Sequence, residues 1–238
     1  MSNNYIMLIS GKSGTGKSTS LRNLPDNKSV WYLNTENGKS LPFPNNFEKH
    51  TITDPYQIFE AIEVANTDPS VEYIVVDSLT FLMDMYESSY VLTSTNTQKA
   101  WGDYHQFFKK LMNDYVAVSA KKFIFIAHTS DILSDEGVLE TKVKVKGALM
   151  DRGIEAYFTV VVSTKNLPLK KLTGYTNDLL AIDEDEEIVG YKNVFQTRLT
   201  KDTTGERIRS PMKMWSIPET YIDNDVVKVI DRITKYYP

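Results

Sequence analysis

The segment "LISGKSGTGKSTSLRNLP" (residues 8–25) decides the fold, because it connects an apolar strand to a helix through a glycine-rich loop. Glycine removes the side chain where a backbone bends tightly and approaches another group, and the loop glycines are Gly11, Gly14 and Gly16. A helix is predicted over 18–23, and Pro25 must end it. Loop N–H groups and a helix N-terminus attract anions, so the segment predicts a phosphate site.

The loop matches the full P-loop pattern, G-x-x-x-x-G-K-[ST]. The residues predicted to bind ATP are Gly11, Lys12, Ser13, Gly14, Thr15, Gly16, Lys17, Ser18 and Thr19. Lys17 is expected to reach the β- and γ-phosphates, and the Ser18 hydroxyl to be one ligand of Mg²⁺. A glycine-rich turn that binds nothing is the alternative, and the flanking strand and helix disfavour it. ATP and Mg²⁺ are therefore the predicted cofactors.

Composition sets the broad class. The chain has 238 residues, of which 41% are hydrophobic, so we expect one α/β core and a single domain over residues 1–238. It has no cysteine, which excludes disulfides and thiolate zinc sites and fits an intracellular protein. No apolar run is long enough to span a membrane, and we expect no membrane partner and a cytoplasmic location. The net charge of -4 means that any DNA contact needs a local basic patch.

Apolar strands alternate with segments of helical spacing. The predicted strands are 5–10, Val30–Asn34, 50–53, Tyr73–Asp77, 123–127, 156–163 and 191–200. The predicted helices after the first are 56–66, 81–90, an aromatic one at 101–115 and a closing one at 224–236, with an acidic turn at 183–187. The fold class is therefore α/β, a mainly parallel, doubly wound sheet with antiparallel strands toward the C-terminus.

Three polar side chains follow predicted strands, at the edge where open α/β sheets bind ligands. Asp77 closes "YIVVD" and is the expected second partner of Mg²⁺; capping the next helix is its alternative role. Glu36 follows "VWYLNT" and is positioned to take a proton from the attacking water, although its spacing fits a solvated loop acid equally. His128 ends "FIFIA" and is a candidate γ-phosphate contact, or simply a satisfied polar group.

The ordered motifs "GKSGTGKST", "WYLNTEN", "YIVVDSLTFL" and "FIFIAHTSD" resemble the RecA-like P-loop ATPases. The resemblance implies that Glu36 is the catalytic base, that Asp77 ends the third motif strand, and that His128 senses the γ-phosphate. That last place is often a glutamine in the family, so histidine is a departure.

Further segments resemble the small phage-encoded RecA-fold proteins of the Sak type, which are linked to single-strand annealing and recombination. They are "LNTENGKSLPF", "QKAWGDY" and "TRLTKDTTGERIRSP". The likeness covers most of residues 5–215. It implies single-stranded DNA as a partner, with a single-strand binding protein as a further candidate, and the host cytoplasm as the location if the chain is phage-encoded.

RecA-like ATPases work as rings or filaments with the nucleotide between subunits, so the resemblance also implies a homo-oligomer. It favours Arg198 and Lys201 as residues that complete a neighbour's site and stabilise charge in the transition state. Surface charges on a hairpin edge are the alternative.

A candidate DNA-binding stripe lies in the middle of the chain. Residues 140–146 alternate strictly, which places three lysines on one side. The candidate DNA-binding residues are Lys142, Lys144, Lys146 and Arg152. Such a stripe suits a phosphate backbone, and a solvated edge strand explains it equally well.

Two functions from different classes follow. The first is an ATP-dependent protein that binds single-stranded DNA, promotes annealing or recombination, and hydrolyses ATP to ADP and phosphate. The second is a nucleotide-gated loader or assembly ATPase that acts on a replication protein such as a helicase, which the acidic charge favours mildly. A small-molecule kinase and a translocating helicase are weaker alternatives, because no segment is typical of an acceptor lid or of an extra module.

Overall fold

The computed structural model of the chain describes residues 3–134, 137 and 139–238. Its strands are β1 (Ile6–Gly11), β2 (Val30–Asn34), β3 (Glu48–Thr51), β4 (Tyr73–Asp77), β5 (Lys122–Leu133), β6 (Leu139–Val143), β7 (Val160–Pro168), β8 (Tyr191–Gln196) and β9 (Tyr221–Asp223). Its α-helices are α1 (Gln57–Thr67), α2 (Leu79–Tyr86), α3 (Thr97–Lys110), α4 (Ala148–Arg152), α5 (Leu169–Leu172), α6 (Glu184–Val189) and α7 (Val226–Tyr236). Single π-helical turns extend α2 over Glu87–Val91 and α3 over Leu111–Val116.

The described strands form one sheet in the order β3-β2-β4-β5-β1-β7-β8-β9. Neighbours from β3 to β7 run parallel, whereas β8 and β9 pair antiparallel at one edge. The far half of β5 leaves the sheet and pairs antiparallel with β6. The predicted fold class, a mainly parallel sheet with antiparallel strands toward the C-terminus, is confirmed.

Helices cover both faces of the sheet, because the central strands are apolar on both sides. Every residue of β1 and β4 is buried, as expected for parallel strands between two layers. Alternate residues pack on opposite faces: Leu8 faces α1, α2 and α3, while Ile9 faces α7. The inward side of α7 is formed by Val226, Val229, Ile230 and Ile233.

Strand register brings the predicted site residues to one edge. Gly11 at the end of β1 pairs with His128 on β5, and Asn34 at the end of β2 pairs with Asp77 on β4. Carboxyl ends of parallel strands meet at the same edge, so the P-loop, the Asp77 carboxylate and the residues after β2 face one another.

Two predicted elements were wrong. The helix expected over 18–23 is a short 3₁₀ helix, Ser18–Leu21. Its three consecutive hydroxyl residues are poor in helix interiors, and the Ser20 hydroxyl donates to the Lys17 carbonyl at 2.5 Å. The acidic turn expected at 183–187 is instead helix α6, since Asp183 and Glu186 form a reciprocal capping box.

Several boundaries also differ from those predicted. The run 156–163 contributes a 3₁₀ turn, Ile154–Tyr157, before β7, and β8 ends at Gln196 rather than at residue 200. The aromatic segment is part of the core, with Tyr104 and Phe108 fully buried. Within the described part of the chain, every helix is too short or too polar to cross a membrane.

Candidate nucleotide-binding site

The P-loop conformation requires its glycines. Gly14 and Gly16 have φ of 77° and 88°, a region that residues with a Cβ rarely adopt. A Cβ on Gly16 would lie 2.3 Å from Asn224 Nδ2, and one on Gly11 would lie 2.0 Å from Thr164 Oγ1. The loop therefore needs glycine both for its backbone angles and for close packing against later parts of the chain.

Residues far away in sequence brace this loop. Asn224 Nδ2 donates to the Gly16 carbonyl at 2.9 Å, across 208 positions of sequence. The hydroxyls of Thr15 and Thr164 lie 2.5 Å apart, and Thr15 also donates to the Lys12 carbonyl at 2.8 Å. Sequence reasoning missed Asn224 and Thr164, because neither lies in a recognisable motif.

Lys17 places a buried positive charge in the loop. Its side chain is 6% exposed, and Nζ donates to the Lys12 carbonyl at 2.8 Å. Burial lowers the pKa of Lys17 to about 8, against the opposing effect of the nearby carboxylates Asp77 and Glu36. A buried ammonium gains most from an anion that replaces its lost hydration, as a polyphosphate would.

Asp77 has one oxygen in use and one oxygen free. Ser18 Oγ and the Tyr32 hydroxyl both donate to Asp77 Oδ2 at 2.9 Å. Asp77 Oδ1 is buried and has no hydrogen-bond partner among the described residues. Burial and, to a lesser extent, Glu36 raise the pKa of Asp77. A cation beside this carboxylate would satisfy the free oxygen and hold the group ionised.

The donor set fits Mg²⁺ rather than a metal held by protein alone. No group of three or more His, Cys, Asp or Glu side chains is arranged around a metal position in the part of the chain that the structure describes. Mg²⁺ commonly uses one or two protein oxygens and completes its shell with phosphates and water. Ser18 and Asp77 lie together as such a pair of oxygens, and their role in holding Mg²⁺ stays a prediction.

Glu36 is held by a polar clamp between β2 and β4. Thr35 Oγ1 accepts from the Ser78 backbone N–H and donates to the Ser78 carbonyl, both at 2.7 Å. The Glu36 backbone N–H donates to Asn34 Oδ1 at 2.8 Å. These contacts fix the chain that carries Glu36 against the end of the strand that carries Asp77.

Glu36 and His128 form a pair across the cleft. Their nearest atoms, His128 Nε2 and Glu36 Oε1, lie 3.2 Å apart, and Lys39 Nζ lies 3.8 Å from Glu36 Oε2. The hydrogen bond from His128 is the main reason that the pKa of Glu36 is lowered. Glu36 is therefore ionised at neutral pH and able to accept a proton or a hydrogen bond from water.

Nine of the residues predicted for the nucleotide site line a single cleft of about 200 Å³. Those it brings together are Ser13, Gly14, Gly16, Lys17, Ser18, Thr19, Glu36, Asp77 and His128. The cleft also includes residues that were not predicted, Tyr32, Lys39, Ser40, Leu41 and Pro42. Four of these lie three to six positions after Glu36, so the segment after the candidate base was the signal that could have identified them.

Other predicted residues lie outside this cleft. Lys12 Nζ is paired with Asp131 Oδ2 at 2.5 Å, on the part of β5 beyond His128. Arg198 and Lys201 line a different cavity, and Arg198 Nη1 donates to the Trp215 carbonyl at 2.7 Å. The structure therefore does not bring Arg198 and Lys201 to the P-loop of their own chain, and a role in a neighbour's site stays a prediction.

The candidate DNA-binding stripe is only partly free. Lys142 is ion-paired with Glu140, and Lys146 Nζ lies 2.6 Å from Glu87. Lys144 and Arg152 are exposed. Val143 and Val145 are buried on the opposite side, which confirms the predicted alternation. The Lys144 backbone N–H donates to the His128 carbonyl at 2.8 Å, so the stripe begins next to the nucleotide cleft.

The sequence model of one protein family, described as an AAA domain, matches residues 3–163. The match covers the P-loop, Glu36, Asp77 and His128 and ends within β7. No curated protein matches the chain significantly.

Proposed function

Because the chain belongs to the AAA-domain family of P-loop ATPases, we propose that it hydrolyses ATP to ADP and phosphate and that this cycle controls its binding to single-stranded DNA during annealing or recombination. One observation carries the ATPase part. An ionised carboxylate, Glu36, shares a cleft with Lys17 and the Ser18–Asp77 pair. That cleft therefore combines a phosphate cradle with a group that accepts a proton.

The binding residues act first. Backbone N–H groups of the P-loop and the Lys17 ammonium hold the phosphates and offset their charge. Ser18 and Asp77 would hold Mg²⁺, which would offset the negative charge that develops on the phosphates. Tyr32 keeps Asp77 Oδ2 oriented through its hydroxyl.

Glu36 then acts on water. Its carboxylate orients the attacking water and accepts its proton as the new bond to the γ-phosphorus forms and the bond from that phosphorus to the β–γ bridging oxygen breaks, which releases ADP. His128 holds Glu36 Oε1 and so sets the direction of that carboxylate. We propose that a bound γ-phosphate competes for the His128 ring, which makes His128 the residue that distinguishes ATP from ADP.

The DNA part rests on connection between the cleft and the basic stripe. The Lys144 N–H is bonded to the His128 carbonyl, and Lys12 of the P-loop is paired with Asp131 on the same strand. If nucleotide binding moves His128 or Lys12, these contacts transmit the displacement to the paired strands β5 and β6. We propose that exposed Lys144 and Arg152 contact DNA phosphates, and that the ion-paired Lys142 and Lys146 join them after exchange of partners.

The test compares ATP turnover with and without single-stranded DNA in wild type, Lys17→Ala and Glu36→Gln. Lys17→Ala should abolish nucleotide binding. Glu36→Gln should keep ATP bound and slow hydrolysis at least about 100-fold. The exposed Glu187→Gln on α6 is the matched control and should behave as wild type.

Two results would contradict the proposal separately. Wild-type turnover in Glu36→Gln would show that another group activates water. Absence of DNA binding at low salt, with an ATP analogue present, would remove the recombination role and leave the ATPase intact.

A further inference from the structure

A second cavity lies at the antiparallel edge of the sheet, away from the P-loop. It encloses about 570 Å³, compared with about 200 Å³ for the nucleotide cleft. Its walls come from β7, α5, the end of β8 and the loop that follows it. A space of this size is in the usual range for small-ligand sites.

Positive charge without a paired acid surrounds this cavity. Of the four cationic lining residues, only Lys165 has a carboxylate partner among the described residues, Glu206 at 2.5 Å. The other three are Lys171, Arg198 and Lys201. Arg198 donates to a carbonyl, which leaves its charge uncompensated. Asp202 is the single acidic residue among the lining residues. The cavity therefore favours an anion.

The rest of the wall is aromatic and apolar. Tyr175 packs edge-to-face against Tyr221, with ring centroids 4.8 Å apart. Leu199 and Ile217 line the same space although they are 46% and 71% exposed. A flat, partly apolar ring is the group that such a wall accommodates, because bases stack on aromatic side chains.

Gln196 adds a polar position to the cavity wall. Its side chain is fully buried, and Nε2 donates to the Arg198 carbonyl and to Thr203 Oγ1, both at 2.8 Å. Because the carbonyl can only accept, these bonds fix which end of the amide carries the nitrogen. Gln196 Oε1 is left without a hydrogen-bond partner in the described ranges. An N–H donor on a ligand is the complement of that oxygen.

We infer that this cavity is a second nucleotide-binding site, whose cations hold a phosphate and whose tyrosine wall holds a base. The inference goes beyond the proposed ATPase and does not depend on it. The same chemistry is offered by a free nucleotide and by one unit of a nucleic-acid strand. Arg198 and Lys201 then have a binding role within their own chain.

The experiment measures binding in the Lys17→Ala protein, in which the P-loop site is disabled. The probes are dAMP and an oligodeoxyadenylate of about 20 nucleotides. Lys171→Glu reverses a charge in the cavity, and Lys170→Glu makes the same change on the same helix outside the lining. Tyr175→Ala removes the ring, whereas Tyr175→Phe keeps it. Thermal unfolding of each variant confirms that it is folded.

We expect saturable binding that Lys171→Glu and Tyr175→Ala each weaken about tenfold. The two controls, Lys170→Glu and Tyr175→Phe, should change it less than about twofold. Tighter binding of the oligonucleotide identifies a nucleic-acid strand as the source, and tighter binding of dAMP identifies a free nucleotide.

Three results would overturn the inference. The first is no binding of either probe up to about 1 mM. The second is an equal effect of Lys171→Glu and Lys170→Glu. The third is displacement of the probe by polyglutamate as readily as by nucleotide, which would show a general anion surface that an acidic peptide also occupies. None of these affects ATP turnover at the P-loop, so this inference and the proposed ATPase fail independently.

Discussion

Raising the pH should weaken nucleotide binding, because the P-loop lysine holds its proton unusually loosely. Lys17 is nearly inaccessible to solvent, and burial brings its pKa down to about 8 from an ordinary value of 10.5. The phosphates of ATP interact favourably only with the protonated amine. Affinity therefore follows the fraction of nucleotide-free protein in which Lys17 is charged.

The size of the effect follows from that pKa. The charged fraction is about three quarters at pH of about 7.5 and about 3% at pH of about 9.5. The affinity for an ATP analogue should therefore fall about 25-fold between these two values. The γ-phosphate is already ionised at the lower of these two pH values, so titration of the nucleotide itself contributes little to the fall in affinity.

The stability of the nucleotide-free protein should increase over the pH range in which nucleotide affinity falls. The folded-state pKa of Lys17 lies below its unfolded value, so the unfolded chain binds more protons between about pH 8 and about pH 10.5. The contribution of Lys17 to the free energy of unfolding of nucleotide-free protein is therefore unfavourable at low pH and is relieved as pH rises through that window. If affinity fell at high pH because the protein unfolded, the free energy of unfolding would decrease as the pH rises.

Calorimetric titration with a non-hydrolysable ATP analogue tests this directly. Measurements in two buffers of different ionisation enthalpy should show uptake of close to one proton per bound analogue at pH of about 9.5. Lys28→Ala is a suitable control, because the Lys28 ammonium is exposed to solvent. This variant should reproduce the wild-type dependence of affinity on pH. Affinity that is constant within twofold across the range, or binding without proton uptake, would refute the reasoning.

Three further changes test the geometry of the cleft. Gly16→Ala should lower the melting temperature and nucleotide affinity more than Gly14→Ala: both incur left-handed backbone strain of about 1–2 kcal/mol, but only at Gly16 does the new Cβ meet another side chain. Calorimetry of both variants decides this, and equal effects would contradict it. Tyr32→Phe removes a hydrogen bond that lowers the pKa of Asp77, so the Mg²⁺ requirement should rise about threefold or more and the acid limb of Mg²⁺-dependent binding should move to higher pH. An unshifted pH profile would count against that. Arg198→Ala should cut turnover about 1000-fold if the residue completes a neighbour's site, and mixing it with the P-loop lysine variant should restore activity; a mixture no more active than its parts would exclude the role in trans.

The parts of the site that sequence predicts well are those whose chemistry is local. The P-loop glycines, Lys17 and Ser18 are adjacent residues in a fixed pattern, and the loop they form is confirmed. Asp77 ends an uninterrupted apolar run, and a parallel strand that is buried on both faces needs such a run. In these cases one stretch of chain contains both the structural signal and the functional group.

Bracing contacts are not local, and sequence alone does not indicate them. Asn224, just before α7, and Thr164, on β7, both contact the P-loop. Strand β7 is next to β1 in the sheet, which brings Thr164 close to the loop. Tyr32 faces Asp77 only because β2 and β4 are neighbours in a particular register. Each of these contacts depends on tertiary packing.

The two wrong elements have different lessons. The capping pair of α6, Asp183 and Glu186, has the spacing of a helix start and was available in the sequence. A run of acids indicates a turn at the surface, although acids near a helix N-terminus also stabilise a helix. The shortened helix after the P-loop was harder to predict, because the P-loop pattern normally indicates a full helix there.

Strand β5 connects the nucleotide cleft to the candidate DNA-binding stripe, because its first half contributes to the cleft and its second half pairs with β6. Its first half lies in the parallel sheet between β1 and β4, where the register fixes His128 beside Gly11. Its second half leaves the sheet, pairs with β6, and presents Asp131 to Lys12 of the P-loop. Both His128 and Asp131, the partner of Lys12, therefore lie on the same continuous strand, β5. Bound phosphates would attract or displace His128 and Lys12. Under the proposed function, a change at either contact would shift β5, the pairing partner of β6, and with it Lys144. That shift is the coupling that an ATP-controlled interaction with DNA requires.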